Sequence, residues 1–356
     1  MNTQTTQRGY TLIELMIALT IGAFLTGGLL QLYIGSKRSY NVQNVLGELQ
    51  EVGRYSLTSM VSDIRMAGFM GCGASAGVVN VLNGATANWE INAETALRGF
   101  EGGVSTFPAD FSGDVIAGTD AITILRAVPD DAYVVQSHVP ATATITLKNA
   151  HDLQQSEVLA ITDCLNTSVF QMTNANAAST ATTVVHDNTG TTPGNCTRGL
   201  GSPLDCATTA GTAYQYDTDA FVMRIISRAY YIGTGASGRN ALFRLDTNNN
   251  GALGAPIELA EGVQDMQLVY GVDSDGDGAV DAYQRADSLT AATWGNVLSV
   301  QVNVLVESED DRLSDAPQSY VLFDGTVASA TPVVPTDNRL RRVYSSTTTV
   351  RNRAIL

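Results

Sequence analysis

Lysine is nearly missing: only Lys37 and Lys148 occur, and arginine supplies the other basic residues. At a net charge of −15 the chain has no basic cluster able to neutralise a phosphate backbone, which excludes nucleic acid as a partner. The same deficit disfavours broad attraction to anionic lipid and suits a secreted surface kept soluble by self-repulsion. Histidine is scarce as well. His138, His151 and His186 lie far apart and form neither an HxxxH nor an HxH pattern. No Ser or Cys stands in a recognisable nucleophile context, so a catalytic function is not expected. There is no CxxC pair, which removes zinc ribbons and thioredoxin-like sites. No repeat of solenoid length is present.

The four cysteines are Cys72, Cys164, Cys196 and Cys206. An even count in an exported chain favours two disulfides formed in an oxidising compartment. Cys196 and Cys206 lie ten positions apart in a Gly/Thr-rich stretch and make the favoured local pair. Cys72 with Cys164 would then follow by elimination, with the connectivity left open by sequence alone.

Charge is missing from one more place. Residues 1–9 (MNTQTTQRG) are polar, and then Tyr10 to Ser36 carries a single charged group, Glu14. The uninterrupted run Leu15–Ser36 makes a helix of roughly 33 Å, about the thickness of a bilayer's hydrocarbon layer. Arg8 should hold the short leader on the cytoplasmic side, and Lys37 and Arg38 close the far end. A conventional signal peptide fits poorly, because its apolar run is shorter and precedes a small-residue cleavage site. An ionisable group inside a membrane helix is costly, on the order of a few kcal/mol, and usually marks function. If the chain is cut after Gly9, the new amine on Tyr10 lies one helical turn from Glu14. It could neutralise Glu14 in its own chain or in a neighbour's.

Arg8-Gly9-Tyr10-Thr11-Leu12-Ile13-Glu14-Leu15 resembles the signal of type IV prepilins and type II secretion pseudopilins. The resemblance implies that a membrane aspartyl peptidase cuts between Gly9 and Tyr10 and methylates the Tyr10 amine. Tyr10 replaces the family's usual Phe but keeps an aromatic ring. Asp63-Ile64-Arg65-Met66-Ala67-Gly68-Phe69 with Cys72, Glu261-Gly262-Val263 leading to Asp273, and the terminal Thr349-Val350-Arg351-Asn352-Arg353 are similar to PilW-type minor pilins.

Past the membrane run, Val42, Val45, Leu46, Leu49, Val52, Leu57, Met60, Val61 and Ile64 keep a three-and-four spacing, so the helix continues to about Met66, before Gly68, Gly71 and Gly73. Ala121–Arg126, Thr142–Leu147, Ser156–Thr162, Leu298–Val306 and Ser345–Val350 read as strands. In Leu298–Val306 the alternation predicts one buried face, with Ser299, Gln301 and Asn303 on the wet side. Residues 173–215 read as a long decorated excursion. The expected fold is α+β and type IV pilin-like: a leader at 1–9, the transmembrane half of the helix at 10–36, its periplasmic half at 37–66, and a β-rich globular domain at 67–356 packed on the helix as an antiparallel sheet.

One loop could hold a metal. Asp273, Asp275 and Asp277 occupy the first, third and fifth places of a calcium loop, with Gly278 at the turn, the Ala279 carbonyl seventh and Asp281 ninth. Gln284 replaces the bidentate Glu of an EF-hand, so a further acid such as Asp287 would be needed. Without one the affinity should be weak, about 10⁻⁴–10⁻³ M. Asp246-Thr247-Asn248-Asn249-Asn250-Gly251 repeats the spacing with amides and reads as a plain turn. Gly233–Gly238 matches GxGxxG, but a returning strand follows it instead of a helix, so no organic cofactor is expected.

The resemblance implies a minor pilin that helps to start type IV pilus assembly and sits at or near the filament tip, supporting pilus display, adhesion and twitching motility. Its partners would be other minor pilins, the major pilin, the prepilin peptidase and the inner membrane. The domain would lie in the periplasm before assembly and on the pilus afterwards. The alternatives are a J-type pseudopilin of protein secretion and a calcium-dependent tip adhesin.

Overall fold

A computed structural model describes residues 9–72, 77–175, 180–189, 192–325 and 331–353. Helix α1 spans Leu12–Met66 as one unbroken element of 55 residues. Thr11 caps its start, and its end falls where Gly68 adopts a φ of 72°, a left-handed conformation that suits glycine. The first part of the helix is exposed on all sides. Burial begins at Leu49 and continues through Gly53, Ser56, Met60, Asp63 and Ile64, a stripe at three- and four-residue intervals.

Eleven strands form a first sheet: β1 (Gly77–Asn80), β2 (Leu97–Phe100), β3 (Ala121–Ala127), β4 (Tyr133–Val139), β5 (Thr144–Leu147), β6 (Val158–Thr162), β7 (Asn166–Gln171), β8 (Thr183–Val185), β9 (Phe221–Thr234), β10 (Asn240–Asp246) and β11 (Ile257–Glu261). Strand β9 is the hub. It pairs with β4 and β6 near its start, with β3 through its middle and with β10 at its end. Four further strands, β12 (Val263–Val272), β13 (Ala282–Gln284), β14 (Val297–Glu307) and β15 (Arg341–Thr349), form a second sheet in the order β13-β12-β14-β15. All pairings are antiparallel except β1 with β7.

The sequence suggested one sheet against the helix, and the chain builds two. Their shared core explains how. Met60 and Ile64 of α1 pack with Val300, Val302 and Val304 of β14, and the same cluster takes in Leu97, Ile122 and Tyr230 from the first sheet. The helix therefore closes the seam between the sheets. A second difference lies in β14, whose expected wet face is covered: Ser299 is 3% and Asn303 0% exposed. The long connection after β14 lies over that face, and the Asn303 amide donates to the Phe323 carbonyl (3.0 Å). A period of two records only that side chains alternate between faces, and a polar face is buried when a loop satisfies its hydrogen bonds.

The GxGxxG stretch is the hairpin between β9 and β10, with the Gly238 N–H donating to the Gly235 carbonyl. Disulfides join Cys72 to Cys164 and Cys196 to Cys206. The first ties the segment after α1 to the β6–β7 turn, and the second closes a loop within the 173–215 excursion.

Candidate assembly segment and acidic loop

The apolar half of the helix is not packed against any other element among the described residues. Tyr10 is 91% exposed, and Leu12, Ile13, Leu15, Phe24, Leu29 and Leu32 are likewise exposed. This stretch is long and apolar enough to cross a membrane, and none of its most apolar window is buried by the rest of the chain. A run of large apolar side chains is stable in that state only in lipid or among neighbouring helices.

Gly9 and Tyr10 precede the first helical turn and are exposed, so the bond between them is sterically open; residues 1–8 lie outside the described residues. Glu14 is the third helical residue. Its carboxylate accepts the Thr11 backbone N–H (3.0 Å) and the Thr11 hydroxyl (3.0 Å), while the Glu14 N–H donates to Thr11 Oγ1 (3.3 Å). This is a reciprocal capping box. Sequence reasoning missed Thr11, although its Thr-x-x-Glu spacing before an apolar run is the signal for such a box.

At its other end the helix is tied down by charge. Asp63, 4% exposed, accepts two bonds from Arg228 Nη1 (2.7 and 2.8 Å), one from the Tyr230 hydroxyl (2.6 Å) and a longer one from Arg126 (3.4 Å). Burial and the Asp63 charge push the Tyr230 hydroxyl's pKa up, so it stays a donor. The end of the chain meets the same turn: the Arg351 N–H donates to the Arg65 carbonyl (3.0 Å), and the Asn352 amide to the Gly68 carbonyl (2.6 Å). Arg353 donates to the Trp294 carbonyl (2.5 Å), and burial lowers its pKa to about 10. Two motifs nearly 300 residues apart thus form one clamp between helix and sheets.

The acidic loop joins β12 to β13. Asp273, Asp275 and Asp281 each offer a carboxylate oxygen within 4.8 Å of the others. Asp277 is not among them, and its Oδ1 accepts the Ala279 N–H (2.8 Å). Asp273 accepts the Gly276 N–H (2.6 Å) and the Gly278 N–H (2.9 Å), bonds that lower its pKa. Asp281 Oδ2 accepts the Ser274 N–H (2.7 Å), and Asp287 is held beside Arg285 (3.6 Å). A hard cation is coordinated by oxygens, and three converging carboxylates fit one. The same carboxylates also hold the turn through backbone N–H groups, and the Asp287 suggested as an extra ligand is already ion-paired. The Asp246–Gly251 stretch folds as a turn, with the Gly251 N–H donating to the Asn248 carbonyl.

The histidines are less scattered than their spacing suggests. His138 Nε2 and His186 Nε2 lie 3.1 Å apart in the interior, and His138 Nδ1 accepts the Tyr216 N–H. Burial pulls their pKa values down to about 4 and about 3, so both rings are neutral at physiological pH. They pack against Phe170 and Tyr216 as core groups.

One long helix, bare and apolar over its first half and packed on a sheet domain over its second, with a carboxylate in its first turn, is a pilin-like architecture. Residues 4–30 match the prokaryotic N-terminal methylation motif, and residues 229–352 match the family described as type IV pilus-assembly protein W. The chain thus carries type IV pilin signatures toward both ends and is similar there to PilW-type pilus-assembly proteins. A comparison with curated proteins found no match. Among solved structures, a type IV-like pilin from Thermus thermophilus is similar over 37% of this chain and 70% of its own, at 16% identity and a TM-score of 0.26.

Proposed function

We propose that the chain helps to start type IV pilus assembly and occupies a position at or near the filament tip. The observation that carries this reading is the bare apolar half of α1 with Glu14 in its first turn. In lipid the carboxylate needs a cationic partner. Cleavage between Gly9 and Tyr10 would create one, an amine four residues before Glu14. In the uncut chain Thr11 caps the helix through Glu14; after the cut the same carboxylate is near enough to bind the amine of its own chain or that of the next subunit. The second pairing fixes register between subunits. Because Glu14 is present, we place a further subunit above this one.

On this reading the chain works by packing rather than by turnover. Its domain faces the periplasm before assembly, and its partners are other minor pilins, the major pilin and the prepilin peptidase. We also propose that Asp273, Asp275 and Asp281 hold calcium weakly, stiffening the β12–β13 turn. Deleting the gene tests the functional reading. Loss of surface pili with normal protein secretion is the expected result. A defect confined to secretion would make the chain a J-type pseudopilin instead.

A further inference from the structure

A groove of about 880 Å³ runs between the outer half of α1 and β15. Leu57, Val61, Met66 and Tyr344 line it, and Arg54, Arg65 and Arg351 stand at its rim. Strand β15 is the last in its sheet, so one side of its backbone has no neighbouring strand. Its pairing with β14 shows which side. Leu340 accepts the Ser308 N–H and the Val350 N–H donates to Leu298, so the even-numbered residues bond to β14. The Arg341 N–H points the other way, to Gln318. By the alternation of an antiparallel ladder, Val343, Ser345, Thr347 and Thr349 turn their N–H and C=O groups outward. Ser345, Thr347 and Thr349 are exposed. This is an open template for another strand.

The charge beside it is unusual for this chain. Acids outnumber bases 35 to 20, and most described arginines, including Arg224, Arg228 and Arg341, are ion-paired. Arg54, Arg65, Arg342 and Arg351 are exposed and have no carboxylate partner among the described residues. Arg342 stands opposite Val306 of β14, whose side chain lies in the core beneath α1, so Arg342 is on the helix side with the others. Arg54 and Arg65 lie roughly 16 Å apart along the helix, the reach of about five residues of strand.

We propose that this edge takes an extended acidic segment of a neighbouring pilin-type subunit as a fifth strand, with carboxylates at alternate positions meeting the four arginines. The inference rests on the reading of the chain as a filament subunit and adds the surface and the chemistry of the contact. Backbone bonds to β15 supply affinity, and the arginines select acidic side chains. Lipid headgroups are out of reach, because Arg54 stands roughly 27 Å along the helix beyond Ser36 and screening acts within about 8 Å. Nucleic acid is opposed by the charge of −15.

The test uses the full chain in detergent and a labelled heptapeptide alternating valine with glutamate. The glutamate peptide should bind, and a lysine counterpart should not. R54E/R65E should weaken binding at least tenfold. Ser345→Pro should do the same with no change of charge, because it removes an outward N–H that β14 does not use. The inference is overturned if the glutamate peptide does not bind at millimolar concentration, if Ser345→Pro binds it normally, or if phosphate or duplex DNA displaces it as well as free peptide does. Cells separate this from the underlying reading. Normal pili in Ser345→Pro cells, alongside loss of pili in Gly9→Ala cells, sinks the docking edge and leaves the subunit role intact. Normal pili in both sinks the subunit role itself.

Discussion

Single residues fix how the helix meets the sheets. Asp63 is the most exposed to test, because its carboxylate is buried and answers two arginines and a tyrosine hydroxyl. Removing one member of a buried ion pair strands the other, so Asp63→Ala should lower stability by about 3–5 kcal/mol. Asp63→Asn keeps an acceptor and should lose less. Urea denaturation of the two variants in detergent measures both. Gly53 tests packing at the same interface: a Cβ there would overlap the Tyr344 ring. Gly53→Ala should cost about 1–3 kcal/mol, and Tyr344→Ala should recover part of it in the double variant. At this scale the sequence was only half legible. Glu14 and the glycines after Met66 announced themselves, because an acid in an apolar run and a glycine cluster are local signals. Asp63 did not, because its partners Arg228 and Tyr230 lie more than 160 residues away and only the fold brings them near.

Elements carry the pH dependence. Asp120 follows the connection into β3, and its carboxylate accepts the Gly102 N–H (2.8 Å) and the Leu268 N–H (2.7 Å), tying β12 to the first sheet. Burial first, and the Glu101 charge next, raise its pKa well above the ordinary 3.8. Burial raises that of Glu101 as well. The folded chain therefore keeps these protons to a higher pH than the unfolded chain, and stability from this pair falls as pH rises from about 4. Asp337 has the opposite sign. The Arg341 hydrogen bond holds it down to about 2, so its contribution is present above 3.8 and is lost as pH falls through about 2. Between about pH 4 and about pH 7 the buried, neutral His138 and His186 add stability as pH rises, so Asp120 is read by difference: the denaturation midpoint of Asp120→Asn should climb more steeply with pH than that of the wild type. An unchanged slope would remove Asp120 as the cause. In the acidic loop, millimolar calcium should raise the melting temperature of the wild type but not of Asp275→Ala; equal responses would rule out that loop as the site.

The strands themselves were legible where β-branched residues run together, as in β3 and β14. Their division into two sheets was not, since it depends on the length of β9 and on which strands it meets.

At the scale of the whole molecule, two physical environments share one helix: lipid or neighbouring subunits for its first half, and the seam between two sheets for its second. The sequence marked the change at Lys37 and Arg38, where the uncharged run stops. It did not mark Arg38's contact with Asp315 (2.5 Å), which joins that point to the connection between β14 and β15. Replacing Glu14 with Gln should leave the globular domain's melting unchanged while reducing incorporation into pili, because among the described residues the carboxylate hydrogen-bonds only to Thr11. The most direct measurement of the central claim is the intact mass and N-terminal sequence of the chain purified from pili or membranes of cells that contain the peptidase. A chain that begins at Tyr10 with a methylated amine is the expected result. A chain that still begins at Met1 would contradict it.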